Sequence, residues 1–370
     1  MIRVLHIMGC SDYGGISTVV LNYYKNIDRE KIHFDIALKT DFIGHNAKEL
    51  QELGAKIYFL PLKNKGIKEF ENALIKILKE NHYDTIHTHE GPTAYIALRI
   101  AKKMGVKCRV AHAHTTAPTD SIKSEIKRLS GVVLDYHYAT AVIGCGQLAG
   151  ERVFGKLNMH RKNAYVLPNA VDTSRFAFNP SIRKEIREEL GVTNKYVVGM
   201  VGRLSLEKNH AFALRVIRSA HKQYPELKLV IVGDGEEQEH IRKLIMHNNM
   251  ESYVDLLGRR LDVNRLYQAF DCLILPSIHE GFPVVSVEAL SSGLPVLLSD
   301  TITKELSFGS GVKYLSIKSI SPWVNAIGEL IRNESVEDRV IRQNEPKDNV
   351  FDIKDTSKML ESIYLKDLGK

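Results

Sequence analysis

No apolar run in this 370-residue chain approaches the roughly 20 residues needed to cross a bilayer, so none reads as a transmembrane span. Cysteine is scarce and scattered. Cys10, Cys108, Cys145 and Cys272 form no C-x-x-C pair, which excludes a disulfide framework and reads as reduced packing thiols. There is no compact D-x-D, no H-E-x-x-H and no Cys/His cluster by spacing, so no metal is expected. A G-x-G-x-x-G fingerprint and the Gly-Lys-Ser/Thr of a P-loop are both missing, which leaves NAD and ATP readings weak. No recognition-helix, zinc-finger or RNP-like pattern points to nucleic acid. The opening MIRVLHIMG enters directly into a strand, without an apolar segment and cleavage site, so a cytoplasmic location is expected.

What is present is a soluble globular composition with enough length for two cores. The net charge of +7 is unevenly placed. Residues 1–172 carry 24 Lys/Arg against 17 Asp/Glu, and the remainder carries 27 against 27. The basic excess therefore lies in the first half, where it suits an anionic substrate or an anionic membrane surface.

Strand and helix signals alternate along the chain. Residues 2–8, HFDIAL, KIYFL, TIHTH and CRVAHAH read as strands, with two more near 138–143 and 163–167. Residues 16–26, 44–53, 66–79 and 93–104 read as helices between them. Such alternation specifies crossover units and a parallel sheet covered on both faces. Leu167-Pro168-Asn169-Ala170-Val171-Asp172 has linker composition, and the pattern then repeats. YVVGMVG, KLVIVG, residues 254–257, residues 272–275, residues 294–298 and GVKYL read as strands. Helices are expected at 209–222, from 236, at 263–269, from Pro283 and at 321–332. The signal weakens from 333 to 352, and a final helix is expected near 355–366. The expected domains are 1–172 and 173–354, with residues 355–370 packing back on the first.

The polar residues gather at strand exits, where ligands bind in open α/β sheets. After the strand at 272–275, Glu280 and Glu288 bracket Gly281-Phe282-Pro283 and a helix start. Taken singly, Glu280 reads as a cap and Glu288 as a solvated carboxylate. Arg203 and Lys208 flank the loop after YVVGMVG; they are either a solvated pair or a diphosphate pocket. Gly233-Asp234-Gly235 follows KLVIVG and allows a close backbone approach. Gly14 and Gly15 form a turn before a helix, read equally as a tight structural turn or an anion-facing loop. His112 and His114 alternate to the same side of one strand, and a buried, satisfied histidine is the bland reading of either.

These residues resemble a family. Glu280 with Glu288 is similar to the E-x7-E signature of the retaining, nucleotide-sugar-dependent glycosyltransferases of family 4. Gly202-Arg203-Leu204 with Lys208, the Gly233/Gly235 pair, Leu294-Pro295-Val296 and the Pro168-to-Asp172 boundary extend the likeness over almost the whole chain. Ala170 stands where the boundary motif usually has Gly, which would strain a positive-φ turn.

The resemblance implies a GT-B fold, α/β, with two Rossmann-like parallel-sheet domains facing each other across a cleft. It implies that Arg203 and Lys208 hold the donor phosphates and offset charge on the departing diphosphate without a metal. Gly14, Gly15, Gly233 and Gly235 would lie near that group, and Glu288 would take the ribose hydroxyls. Glu280 would face the transferred sugar. Arg259 and Leu261 would flank the base, and the amides of Phe282 and Val284, either side of Pro283, would meet phosphate and sugar. His114, with Thr115, matches the family's H-x-S/T element near the reacting sugar; His89 and His112 are acceptor-side candidates.

The expected activity is retaining transfer from a nucleotide sugar, with a UDP-sugar favoured, to a glycan or polyprenyl-linked glycan in exopolysaccharide or capsule biosynthesis. No cofactor beyond that donor is expected. The rivals are a UDP-sugar epimerase of the same fold and a non-catalytic nucleotide-sugar-binding subunit. Residues 121–130 add a membrane question. Ile122, Ile126 and Leu129 follow helical spacing amid Lys123, Lys127 and Arg128. The stripe would either pack on the sheet or dock peripherally on an anionic membrane surface.

Overall fold

The computed structural model describes residues 1–9, 15–62, 66–116, 121–306, 310–345 and 351–369. Gly14 and Cys10 fall outside these. Two compact units emerge, Met1–Ala170 with Asn349–Lys370, and Val171–Asp348.

The first unit is built on a seven-stranded sheet of β1 (Ile2–Met8), β2 (Ile32–Leu38), β3 (Ile57–Phe59), β4 (Thr85–Thr88), β5 (Cys108–Ala113), β6 (Ala141–Gly144) and β7 (Ala164–Val166). Its order is 3-2-1-4-5-6-7, and every pairing is parallel. The central strands are buried almost end to end, which is why they read as continuous rather than alternating apolar runs. Helices between the strands supply the cover, and Leu74, Ala97, Leu98, Ala101 and Phe154 pack into one core against Leu5, Ile86 and Val142.

The second unit carries β8 (Tyr196–Val201), β9 (Leu227–Val232), β10 (Val254–Leu256), β11 (Cys272–Leu275), β12 (Val296–Ser299) and β13 (Val312–Leu315). The order is 10-9-8-11-12-13, again parallel throughout. Both sheets reverse their winding at one place, between β1 and β4 and between β8 and β11. Such switch points open a crevice beyond the strands' carboxyl ends.

The terminal helix Ile353–Asp367 belongs to the first unit and packs beside the helix Gly15–Asn26. Its fully buried Tyr364 reaches the sheet. Five α-helices among the described residues have no counterpart in the sequence reading: Gln147–Phe154, Lys156–Met159, Thr173–Phe176, Pro180–Glu189 and Val336–Gln343. The last of these buries Arg339 and Arg342. Arg339 donates to the carbonyls of Tyr267, Gln268, Phe270 and Ser292, satisfying helix-end acceptors that would otherwise be orphaned. Ala170 needs no left-handed backbone: among the described residues only Asn209 and Asn249 combine a side chain with positive φ. The strain expected at that Ala is absent.

Candidate active site

The second unit's switch point brings together residues far apart in sequence. The loop after β8 carries Arg203 and Lys208, and the loop after β11 carries Glu280. Two contacts fasten these loops: Ile278 N–H donates to the Glu207 carbonyl at 2.8 Å, and the Asn209 amide donates to the Pro276 carbonyl at 3.1 Å. Asn209 adopts the left-handed conformation (φ 59°) as it starts the helix His210–Gln223, a geometry that Asn tolerates better than most residues. Lys208 and Glu280 consequently form an ion pair, both largely withdrawn from solvent. The Ser277 hydroxyl donates to the same Glu280 oxygen at 2.9 Å.

Arg203 is different. Its side chain is 72% exposed and bridges to Glu236 at 3.0 Å, so Lys208 is the cation built into the floor and Arg203 a mobile one at the rim.

The glycines after β9 make room for neighbouring backbone. A Cβ on Gly233 (φ 141°) would sit 1.9 Å from the Gly202 carbonyl oxygen, and one on Gly235 (φ 157°) 2.4 Å from that of Leu204. These positions let the β8 and β9 loops lie against each other. Leu204 N–H donates to Asp234 at 2.8 Å and Glu237 N–H to Leu204 at 2.9 Å. The pair thus permits a close approach of neighbouring backbone. Gly233 N–H also donates to Gly258 at 2.8 Å, which brings residues 258–261 alongside. There Arg259 pairs with Asp234 at 2.6 Å, and Leu261 is 61% exposed.

Pro283 precedes the helix Val284–Ser291, whose start has no side-chain cap. That start lies beside Gly281 and Phe282 in the chain, and a helix N-terminus without a side-chain cap is suited to an anion. One turn on, Glu288 accepts a hydrogen bond from the Tyr267 hydroxyl at 2.8 Å. Burial raises the Glu288 carboxyl to about 7, against the opposing effect of that hydrogen bond. The two glutamates are thus unlike: Glu280 is ion-paired, and Glu288 is poised to change protonation near neutrality.

In the first unit, sheet order assembles a cluster that spacing did not reveal. His6 and His87 are register partners on β1 and β4. The rings of His89 and His112 lie tilted to each other at 5.4 Å between centroids, and those of His112 and His114 at 4.1 Å. Five rings result, joined in two chains. His6 Nδ1 meets His89 Nε2 at 3.0 Å, and His89 Nδ1 meets His114 Nε2 at 2.8 Å. Separately, the Tyr364 hydroxyl meets His87 Nδ1 at 2.6 Å, and His87 Nε2 meets His112 Nδ1 at 3.2 Å.

Burial lowers His6 and His114 to about 3. It also takes His87, His89 and His112 well below the usual histidine range, with repulsion from neighbouring rings adding to it. All five are neutral at ordinary pH. His89 and His112 lie buried inside this cluster. His114 is only part-buried and Thr115 is exposed. His6, His87 and Tyr364 were not singled out from sequence; the alternation of His87 with His89 and of His112 with His114 was the available sign.

Two triads, His6/His87/His89 and His89/His112/His114, place ligand nitrogens within 4.8 Å of one another. The His87 and His89 rings are inclined by only 12° at 4.5 Å. Their in-plane lone pairs run side by side rather than converging, and the short N···N contacts are those of hydrogen bonds. The cluster suits proton-ordered chains better than ligation.

Comparison with known proteins agrees with this architecture. Residues 13–175 match the family described as Glycosyltransferase Family 4, and residues 182–347 match Glycosyl transferases group 1. EpsF from Bacillus subtilis (strain 168), which is named a glycosyltransferase, is 33% identical over 334 residues, covering 88% of this chain and 86% of that protein. The UDP-Gal:alpha-D-GlcNAc-diphosphoundecaprenol alpha-1,3-galactosyltransferase of Escherichia coli is 29% identical over 313 residues, covering 81% and 79%. The crystal structure of Anabaena Alr3699/HepE in complex with UDP superposes with a TM-score of 0.81 at 21% identity, covering 98% of this chain and 99% of that one. That likeness shows the GT-B fold. With the family go enzyme identity and the setting aside of the epimerase and non-catalytic alternatives: the chain is a glycosyltransferase of family 4.

Proposed function

We propose that this enzyme transfers a sugar, with retention of configuration, from a UDP-sugar to a glycan or polyprenyl-linked glycan during exopolysaccharide or capsule assembly. The observation that carries the reading is the Lys208–Glu280 pair at the carboxyl ends of β8 and β11. Departure of a diphosphate is the costly event, and a preplaced cation stabilises its developing charge. Lys208 takes that role with Arg203 in support, so no divalent ion is required for it. Glu280 is released to face the sugar as Lys208 turns to phosphate. Glu288, ionised, accepts the ribose hydroxyls, and residues 258–261 flank the base. Gly15 begins a helix at the first unit's strand exit and is a donor- or acceptor-side candidate; Gly14, its partner in that reading, lies outside the described residues. His114 and Thr115 meet the reacting sugar. The donor class and lipid-linked acceptor draw support from the Escherichia coli relative, whose name states both.

The test is incubation of the purified full chain with a panel of UDP-sugars and a polyprenyl-diphosphate-linked glycan. UDP release matched by glycan extension supports the reading; UDP release with only free or epimerised sugar refutes it.

We infer further that the enzyme works at an anionic membrane surface. The helix Ile122–Tyr138 turns its apolar stripe outward: Ile122, Ile126, Leu129 and Val133 are 83%, 63%, 53% and 67% exposed. The stripe therefore does not pack on the sheet. Lys123 and Lys127 flank it and are exposed, whereas Arg128 is drawn inward to Glu125 and the Arg152 carbonyl. The docking charge thus belongs to the two lysines. No described helix is long and apolar enough to span a membrane, so association would be peripheral. Charge reversal at Lys123 and Lys127 should abolish salt-sensitive binding to anionic vesicles and spare a soluble acceptor analogue. Equal wild-type binding to neutral and anionic vesicles at low salt would refute the docking.

A further inference from the structure

A neutral imidazole owns one N–H and one lone pair. His89 has both nitrogens engaged, Nε2 with His6 and Nδ1 with His114. One must donate and the other accept, so the three rings share a single direction of donation. In one direction His6 Nδ1–H donates to His89, His89 Nδ1–H donates to His114 Nε2, and His114 carries its proton on Nδ1. In the other, His114 Nε2–H donates inward, His89 Nε2–H donates to His6 Nδ1, and His6 must carry its proton on Nε2.

The buried end decides between them. His6 is fully buried and its Nε2 has no partner. Leaving an N–H there is worse than leaving an unused acceptor, since orphaned buried N–H groups are the rarer of the two. His114 Nδ1, at the other end, has no partner among the described residues, and its ring is part-buried rather than enclosed. It is the atom through which the chain reaches the outside.

We propose that His6 and His89 are positioning residues that fix the tautomer of His114, so that its Nδ1–H is presented as a donor to a hydroxyl or phosphate oxygen of bound substrate. This deepens, and rests on, the placement of His114 at the reacting sugar. The depressed basicity of the rings supports it, because a protonated His89 would have no lone pair and the chain would lose its direction. The second chain, from Tyr364 through His87 to His112, makes no hydrogen bond to His114. It supplies an internal control buried in the same cluster.

The experiment is long-range proton–nitrogen NMR on the full chain labelled at histidine ring nitrogens, with the His114 signals identified by their loss in His114→Asn. The expected wild-type spectrum shows His114 protonated at Nδ1 and pyridine-like at Nε2. His6→Phe removes the donor that sets the direction. It should shift His114 toward the Nε2–H tautomer and lower kcat by roughly tenfold or more, the scale of one lost hydrogen bond, with donor KM little changed. His6→Asn places an amide N–H near the lost Nδ1 and should restore both readouts, while His87→Phe should leave the His114 tautomer as in wild type. A wild-type His114 protonated at Nε2 would overturn the proposal. An unchanged tautomer in folded His6→Phe would overturn it as well. A tautomer shift with no loss of turnover, matched by full activity in His114→Asn, would instead overturn the placement of His114 at the substrate.

Discussion

Five neutral histidines inside one unit make its stability depend steeply on acidity. His6 and His114 are held near 3 and the other three well below their ordinary 6.5. Below pH 6.5 the unfolded chain binds protons that the folded unit refuses, so stability present above that pH is lost as pH falls toward the folded values. Between pH 6 and pH 5 His6 and His114 each cost about 1 kcal/mol, and His87, His89 and His112 act in the same direction.

Asp135 works the other way. Burial raises it to about 8 although it accepts a hydrogen bond from Tyr95 N–H. Its folded form is therefore protonated in this interval while its unfolded form is ionised, which returns about 1 kcal/mol. The histidines outnumber this one carboxyl, so the net effect is a loss of stability as pH falls. The second unit supplies the contrast. His210, lowered to about 4 by burial and by Lys208, and Glu288, raised to about 7, oppose each other and cancel to within about 1 kcal/mol.

The assay is native-state hydrogen exchange at pH 6 and pH 5, corrected for intrinsic rates, read at β1, β4 and β5 against β8 and β11. Protection should fall by roughly tenfold or more in the first set and stay nearly constant in the second. Equal changes in the two units would refute the reasoning.

Three further outcomes follow from the same geometry. Lys208→Ala should lower turnover by roughly two orders of magnitude or more and weaken UDP binding by about 1–3 kcal/mol, measured by initial rates and calorimetry. Arg339→Ala should cost about 3 kcal/mol or more in urea unfolding, because several buried carbonyls lose their donor together. Added chelator should leave transfer activity intact, since the charge on the leaving group is met by Lys208 and Arg203; a strict requirement for Mg²⁺ or Mn²⁺ would contradict this.

The parts of the molecule legible from sequence are those whose signal is local. Parallel strands buried on both faces announce themselves as apolar runs, and the Glu280–Glu288 spacing survives because one loop and one helix carry both. The helix Val336–Gln343 was illegible because its buried face consists of Arg339 and Arg342, so it has no apolar period to find. Pro180–Glu189 hides for a similar reason, burying Ile186 and Arg187. Lys208 and Glu280 are 72 residues apart, and their pairing is a product of the β8–β11 adjacency. The histidine chains depend wholly on sheet order, since β1, β4 and β5 must lie side by side before residues 6, 89 and 114 can touch. The exposed stripe of Ile122–Tyr138 shows the limit of periodicity: it identifies an apolar face but not whether protein covers it.

The measurement that bears most directly on the central claim is the anomeric configuration of the transferred sugar. A UDP-sugar labelled with ¹³C at the anomeric carbon is incubated with the full chain and a lipid-linked glycan, and the product's one-bond C–H coupling is read by NMR. Retaining transfer predicts the donor's configuration in the new linkage, with one UDP released for each bond formed. An inverted linkage, or UDP released without any new glycosidic bond, would contradict it.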